Sequence, residues 1–130
     1  MKRIGLAWVI ALVALLLVAL PVIAKSGPEF KGAWESIDVD GSFQQLTISG
    51  NSNNLHIRYF DHMATVCGGD KAIGRGAANV EGDTISSLLE IWCLNPRRFL
   101  ADSSFNAVYD PITDTLIDEY GIVWNRMGNQ

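Results

Sequence analysis

Between Ala33 and Arg126 apolar and polar residues alternate over short stretches, and turn-forming residues cut the chain every few positions. A period of two puts successive side chains on opposite faces of a strand, so this pattern selects half-buried β-structure and leaves helix a minor part. Asp40-Gly41 separates Ala33–Ile37 from Phe43–Ser49, and Asp-Gly between two such runs is a strong hairpin signal. Gly50-Asn51-Ser52-Asn53-Asn54 closes the second run, and 55–60 forms the third. A wider connection through Cys67-Gly68-Gly69-Asp70 leads to 72–80, where Gly74 and Gly76 predict a twisted or bulged strand before the turn at Glu81-Gly82-Asp83. Thr84–Leu94 is the longest predicted strand, ended by Asn95-Pro96. Ser103–Tyr109 runs into the proline turn Asp110-Pro111-Ile112-Thr113-Asp114, and Thr115–Glu119 and Ile122–Arg126 finish the chain, bent at Tyr120-Gly121.

About eight short strands with hairpin-length connections predict an all-β fold, a single antiparallel up-and-down barrel, with a β-sandwich as the alternative. There is no internal repeat, low-complexity tract or linker, so residues 25–130 form one domain.

Residues 1–24 are of another kind. Met1-Lys2-Arg3 precedes an uncharged run, Ile4–Ala24, rich in Leu, Val and Ala. This predicts an N-terminal hydrophobic helix that acts as a signal peptide, cut between Ala24 and Lys25, where Val22 and Ala24 suit a signal peptidase and Pro21 breaks the helix just before. The alternative is an uncleaved membrane anchor, since about 21 helical residues reach about 30 Å. Either way the rest of the chain is expected outside the cytosol, secreted, periplasmic or held at the membrane only through residues 4–24.

Without Lys2 and Arg3 the formal net charge falls from −4 to −6. An acidic surface without a basic cluster argues against nucleic acid and anionic lipid headgroups, and Arg97-Arg98 reads as a solvated loop. Cys67 and Cys93 are the two cysteines, and in an oxidising compartment they are expected to form a disulfide. Their spacing does not suit zinc, and the chain offers only His56 and His62 beside them.

Catalytic patterns fare poorly. His56 and Arg58 share an outward strand face, and Asp61-His62, read as a loop, lacks a nucleophile tied to it. Asp38 with Asp40, and Asp114 with Asp118, sit beside glycine or proline, where aspartates form turns more often than two-carboxylate active sites. A loose calcium site at Asp110, Asp114 and Asp118 is the one metal arrangement to weigh, and the turn reading is preferred to it. The expectation is a non-enzymatic domain with no catalytic residue, metal or cofactor.

Gly32-x-Trp34 opens the first strand and Arg126 closes the last. In a closed barrel these strands are neighbours, so the guanidinium can lie over the indole and plug one end. With these three residues the chain resembles the calycins, the group of lipocalins, fatty-acid-binding proteins and avidins. It departs from the lipocalins in lacking their Thr-Asp-Tyr turn, to which Asp118-Glu119-Tyr120 is only loosely similar, and the room for their C-terminal helix. It is nearer the avidins in length, without a matching biotin-site constellation. It is also similar to small exported bacterial proteins built on Gly-x-Trp, a Cys-Gly-Gly loop and an Asp-Thr-Leu-Ile-Asp ending. The calycin resemblance implies a cup for a small, partly apolar molecule. The strand phase nominates Leu46, Ile48, Ile57, Tyr59, Leu89, Ile91, Phe105 and Tyr109 as inward residues, with Tyr59, Tyr109, Phe105 and Leu89 the candidate ligand lining. The same side chains could instead fill the interior solidly. The protein would then be a structural or interaction domain of the cell envelope, with Phe43, Phe60 and Trp92 forming an outer patch.

Overall fold

The structure is a computed structural model that describes residues 27–51 and 53–128. The predicted leader helix and the Ala24–Lys25 junction lie outside the described residues. Eight strands, β1 (Gly32–Ile37), β2 (Phe43–Asn51), β3 (Asn54–Ala64), β4 (Asp70–Glu81), β5 (Thr84–Leu94), β6 (Arg97–Asp110), β7 (Thr115–Asp118) and β8 (Val123–Arg126), run in chain order around a closed antiparallel barrel. Pairing of β1 with β8 through Trp34–Arg126 and Glu35–Asn125 shuts the ring, and the sandwich alternative falls with it. The only helical turns among the described residues are short 3-10 turns at Gly27–Phe30 and Thr65–Cys67.

The connections between successive strands are two to five residues long, so each strand pairs with its sequence neighbour and the inward phase carries around the ring. Leu46, Ile48, Leu55, Ile57, Ile85, Leu89, Phe105, Leu116 and Trp124 belong to one buried cluster. On the outward phase Arg58, Arg75, Glu90 and Asp102 stand side by side across four strands.

Several strand boundaries differ from the sequence reading, those of β6, β3 and β4 among them. The longest strand is β6, 14 residues, because pairing resumes at Leu94–Arg97 directly after the Asn95-Pro96 turn. Arg97 and Arg98 therefore stand in a strand; the alternation is hidden there because both faces of residues 97–99 and 101–104 are exposed. β3 continues beyond Phe60 to Ala64, past a register irregularity between Asp61 and Ala64, so Asp61-His62 is in the barrel wall. β4 begins two residues earlier than the apolar run, at Asp70.

Gly74 and Gly76 are inward positions of β4 where the walls come close. A methyl at Gly76 would run into the Leu88 carbonyl oxygen, and one at Gly74 would stand 2.8 Å from Ile91 Cδ1. Small residues here let β4 curve against β5.

Candidate functional site

The two ends of the barrel are built differently. At one end the 3-10 turn Gly27–Phe30 lies across the opening. Its Phe30 is fully buried, and the Phe30 carbonyl accepts a hydrogen bond from Trp34 Nε1 at 3.0 Å. The Arg126 guanidinium is stacked 4.0 Å from the Trp34 ring centre. Its Nη1 and Nη2 donate to the carbonyls of Lys31 and Glu29, each at 2.6 Å, which fastens the turn to the last strand. Arg126 Nε donates to both oxygens of Asp114 at 2.8 and 2.9 Å.

Tyr109, nominated for the ligand lining, belongs to this closed end. Its hydroxyl donates to Asp114 Oδ1 at 3.0 Å and its ring packs on Phe30 and Trp34. It lies outside the cavity because it precedes the β6–β7 turn, at the opposite end of β6 from the mouth. Desolvation, followed by the Asp114 hydrogen bond and charge, raises its phenol above the ordinary range, with Arg126 opposing.

The other end holds a cavity of about 650 Å³ that opens between the strand ends. This volume is in the range of small-molecule sites. Its apolar wall contains Tyr59, Leu89, Ile91, Phe105 and Trp124. Trp124 meets Tyr59 and Phe105 edge to face, with ring centres 6.3 and 6.1 Å apart. Of the nominated lining, Tyr59, Leu89 and Phe105 thus share the cavity. Leu46, Ile48 and Ile57 are buried in the packed half beneath it, so the interior is solid toward the closed end and hollow toward the mouth.

Polar groups stand at fixed places in this cup. Asp61 and Gln44 are register partners on β3 and β2, and both line the cavity. Asp61 is 5% exposed; its Oδ1 accepts the Met63 N–H at 2.9 Å and its Oδ2 the Tyr59 hydroxyl at 3.3 Å. Burial, then the Asp61 charge and hydrogen bond, push the Tyr59 phenol far above its ordinary range. Asp118 accepts the N–H groups of Tyr120 and Ile122 on Oδ1 and the Trp124 indole N–H on Oδ2 at 3.1 Å, fixing the ring that forms the cavity wall.

The rim combines apolar and acidic groups. Val39 is 90% exposed and Tyr120 78%, and both line the opening. Asp40 accepts the Thr65 hydroxyl at 2.7 Å and the Ser42 N–H at 2.9 Å, and these bonds, the Thr65 one foremost, hold its carboxyl below the ordinary range. The Cys67–Cys93 disulfide closes the same end, joining the 3-10 turn that carries Thr65 and Val66 to the end of β5.

The remaining sequence candidates are dispersed. His56 is on the exposed outer face, and His62 points outward between Phe43 and Phe60, at 5.2 and 4.7 Å from their rings, so Asp61 and His62 face opposite ways. Asp110, Asp114 and Asp118 serve separate places: Asp110 accepts the Ile112 N–H, Asp114 pairs with Arg126 and Asp118 holds Trp124. Among the described residues no group of three His, Cys, Asp or Glu is arranged to hold a metal ion.

The sequence reading missed Gln44, Asp61, Asp118 and Trp124 as cavity residues. For Gln44 a signal existed, since it keeps the phase of Leu46 and Ile48. Comparison of the chain with protein-family models, curated proteins and solved structures finds no match.

Proposed function

We propose that this chain is an exported, non-enzymatic binding barrel of calycin type whose open end receives a small, partly apolar molecule. The observation that carries this reading is the cavity of about 650 Å³, walled by Leu89, Ile91, Phe105 and Trp124. A barrel made only to be stable would fill that volume with side chains, because interiors pack to high density and voids are costly. The Gly32–Trp34–Arg126 arrangement at the far end supports the calycin comparison, and the turn fastened by Arg126 covers that end. The Cys67–Cys93 bridge supports a non-reducing compartment outside the cytosol, in keeping with the basic and apolar leader, whether it is cleaved or kept as an anchor. Asp61 and His62 face opposite sides of the wall, which favours binding over acid–base catalysis.

A second reading, a structural or interaction domain of the envelope, draws on the outer face. Phe60, Ile73, Trp92 and Phe99 form a continuous row across β3 to β6, with Arg97 over Trp92. The hollow mouth favours the first reading.

The test is thermal unfolding of the protein with a panel of lipids, haem, biotin, flavins and apolar amines. A bound compound at a hundred times its dissociation constant adds about 2.7 kcal/mol. A shift in the parent that disappears in Ile91→Trp, which fills the cavity, is the expected result. Absence of any shift across the panel would remove the binding reading.

A further inference from the structure

The charged groups of the cup share one sign. Asp38, Asp40, Asp61 and Asp118 line the cavity, and no Lys, Arg or His is among its lining residues. Asp40 and Asp118 are engaged by local N–H and hydroxyl groups that shape the turns. Asp61 is different. It is a carboxylate 5% exposed whose two bonds come from one backbone N–H and one phenol, and it has no cationic partner among the described residues. The salt bridge found among those residues, Arg126 with Asp114, is at the other end of the barrel.

Gln44 adds a second polar group without a protein partner. It is 6% exposed, stands opposite Asp61 in register, lines the cavity, and its carboxamide, open to the cavity, makes no hydrogen bond among the described residues. Buried polar groups are normally paired, and a buried charge without a counter-charge is more costly still. Beside this pair are the rings of Tyr59, Trp124 and Phe105, whose π faces attract cations and disfavour anions.

We infer that the ligand of the cup, granted that the cup binds one, is an organic cation: an amine with an apolar body. Its ammonium group lies against Asp61 and the Gln44 carbonyl oxygen, and its hydrocarbon part rests on the aromatic wall. A carboxylate or phosphate head in the same place would meet four aspartates and no counter-charge.

The test uses protein expressed from the full chain and three probes of one skeleton, 4-phenylbutylamine, 4-phenylbutanol and 4-phenylbutyrate, titrated by calorimetry at pH 7. The amine should bind at least tenfold more tightly than the carboxylate, with the alcohol between them. Asp61→Asn should shrink the advantage of amine over alcohol to within about threefold. Gln44→Glu, which leaves the Asp61 bonds in place, should enlarge that advantage. If the alcohol binds and the carboxylate binds as tightly as the amine, the charge assignment is overturned and the binding reading stands. If none of the three binds, the charge assignment is overturned, and the thermal-unfolding panel decides the binding reading separately.

Discussion

The guanidinium carbon of Arg126 lies over the Trp34 ring, 4.0 Å from its centre, while its three nitrogens are committed to Asp114 and to the Lys31 and Glu29 carbonyls. One side chain thereby joins β8, β1, the β6–β7 turn and the covering 3-10 turn. A cation–π contact alone is worth about 0.5–2 kcal/mol, but removal of Arg126 also takes the counter-charge from Asp114 and the donors from two carbonyls. Arg126→Ala should therefore cost about 2–4 kcal/mol, and Trp34→Ala about 3–5 kcal/mol. Arg126→Lys should recover less than half of the loss, because a single ammonium cannot replace the planar fork. Urea unfolding of the three variants checks this, and near-neutral Arg126→Ala would contradict it.

Gly32 is the partner of that arrangement. Its φ is +137°, and a Cβ there would stand 2.8 Å from Arg126 Nη1, an atom that its bond to the Lys31 carbonyl prevents from yielding. Gly32→Ala should cost about 1–3 kcal/mol through backbone strain and displacement of the guanidinium. The displacement part should vanish in an Arg126→Ala background. A double-mutant cycle separates the two, and simple additivity would mean that the glycine serves the backbone alone.

Much of the barrel is legible in the sequence because hairpin turns and inward phase are local properties. Asp40-Gly41 and Glu81-Gly82-Asp83 mark the turns, and Leu46, Ile48 and Ile57 alternate as a one-sided wall must. The cup is harder to read because an open cavity relaxes that same alternation. Asp61 breaks the apolar phase of β3 and, beside His62, looks like loop; its inward direction becomes visible only once the register with Gln44 is known. Asp114 and Asp118 satisfy the description of turn formers, and only their pairing with Arg126 and Trp124 across the turns reveals what else they hold. Tyr109 has the right phase, but phase does not say which end of the barrel a residue reaches.

The Cys67–Cys93 bridge spans 26 positions and restrains the segment that carries Thr65 and Val66 at the mouth. A loop of that size stabilises by about 2–4 kcal/mol in the chain-entropy account. Replacement of both cysteines by serine should lower stability by that amount and expose the 65–69 segment to proteolysis before the rest of the barrel. Intact mass on the exported protein should show no free thiol. Two free thiols, or cleavage at other turns first, would contradict the assignment.

Gly76 tests how tightly the curved wall is set. Its added methyl would meet the Leu88 carbonyl, a backbone atom that cannot turn aside, and the Ser87 Oγ that donates to the Ala77 carbonyl. Gly76→Ala should destabilise by about 1–3 kcal/mol, whereas Ala77→Ser on the outward face should stay within about 0.5 kcal/mol. Equal effects would mean that β4 and β5 can move apart without penalty.

Tyr59 makes alkaline stability a probe of the cup. Burial first, then the neighbouring Asp61, hold its phenol in the protonated form well above the ordinary value of about 10. As pH rises past that value the unfolded chain loses the proton and the folded chain keeps it. The native state then binds more protons, and stability falls with rising pH by up to about 1.4 kcal/mol per pH unit. The contribution is fully present below pH about 10 and is lost progressively above it. Tyr59→Phe should flatten this decline relative to the parent, while Tyr109→Phe reports the separate phenol at the closed end. Unfolding by urea between pH 8 and about 11, with phenolate absorbance followed in parallel, distinguishes the cases: identical slopes for parent and Tyr59→Phe would show that the phenol is solvated and that the wall beside Asp61 is open to water.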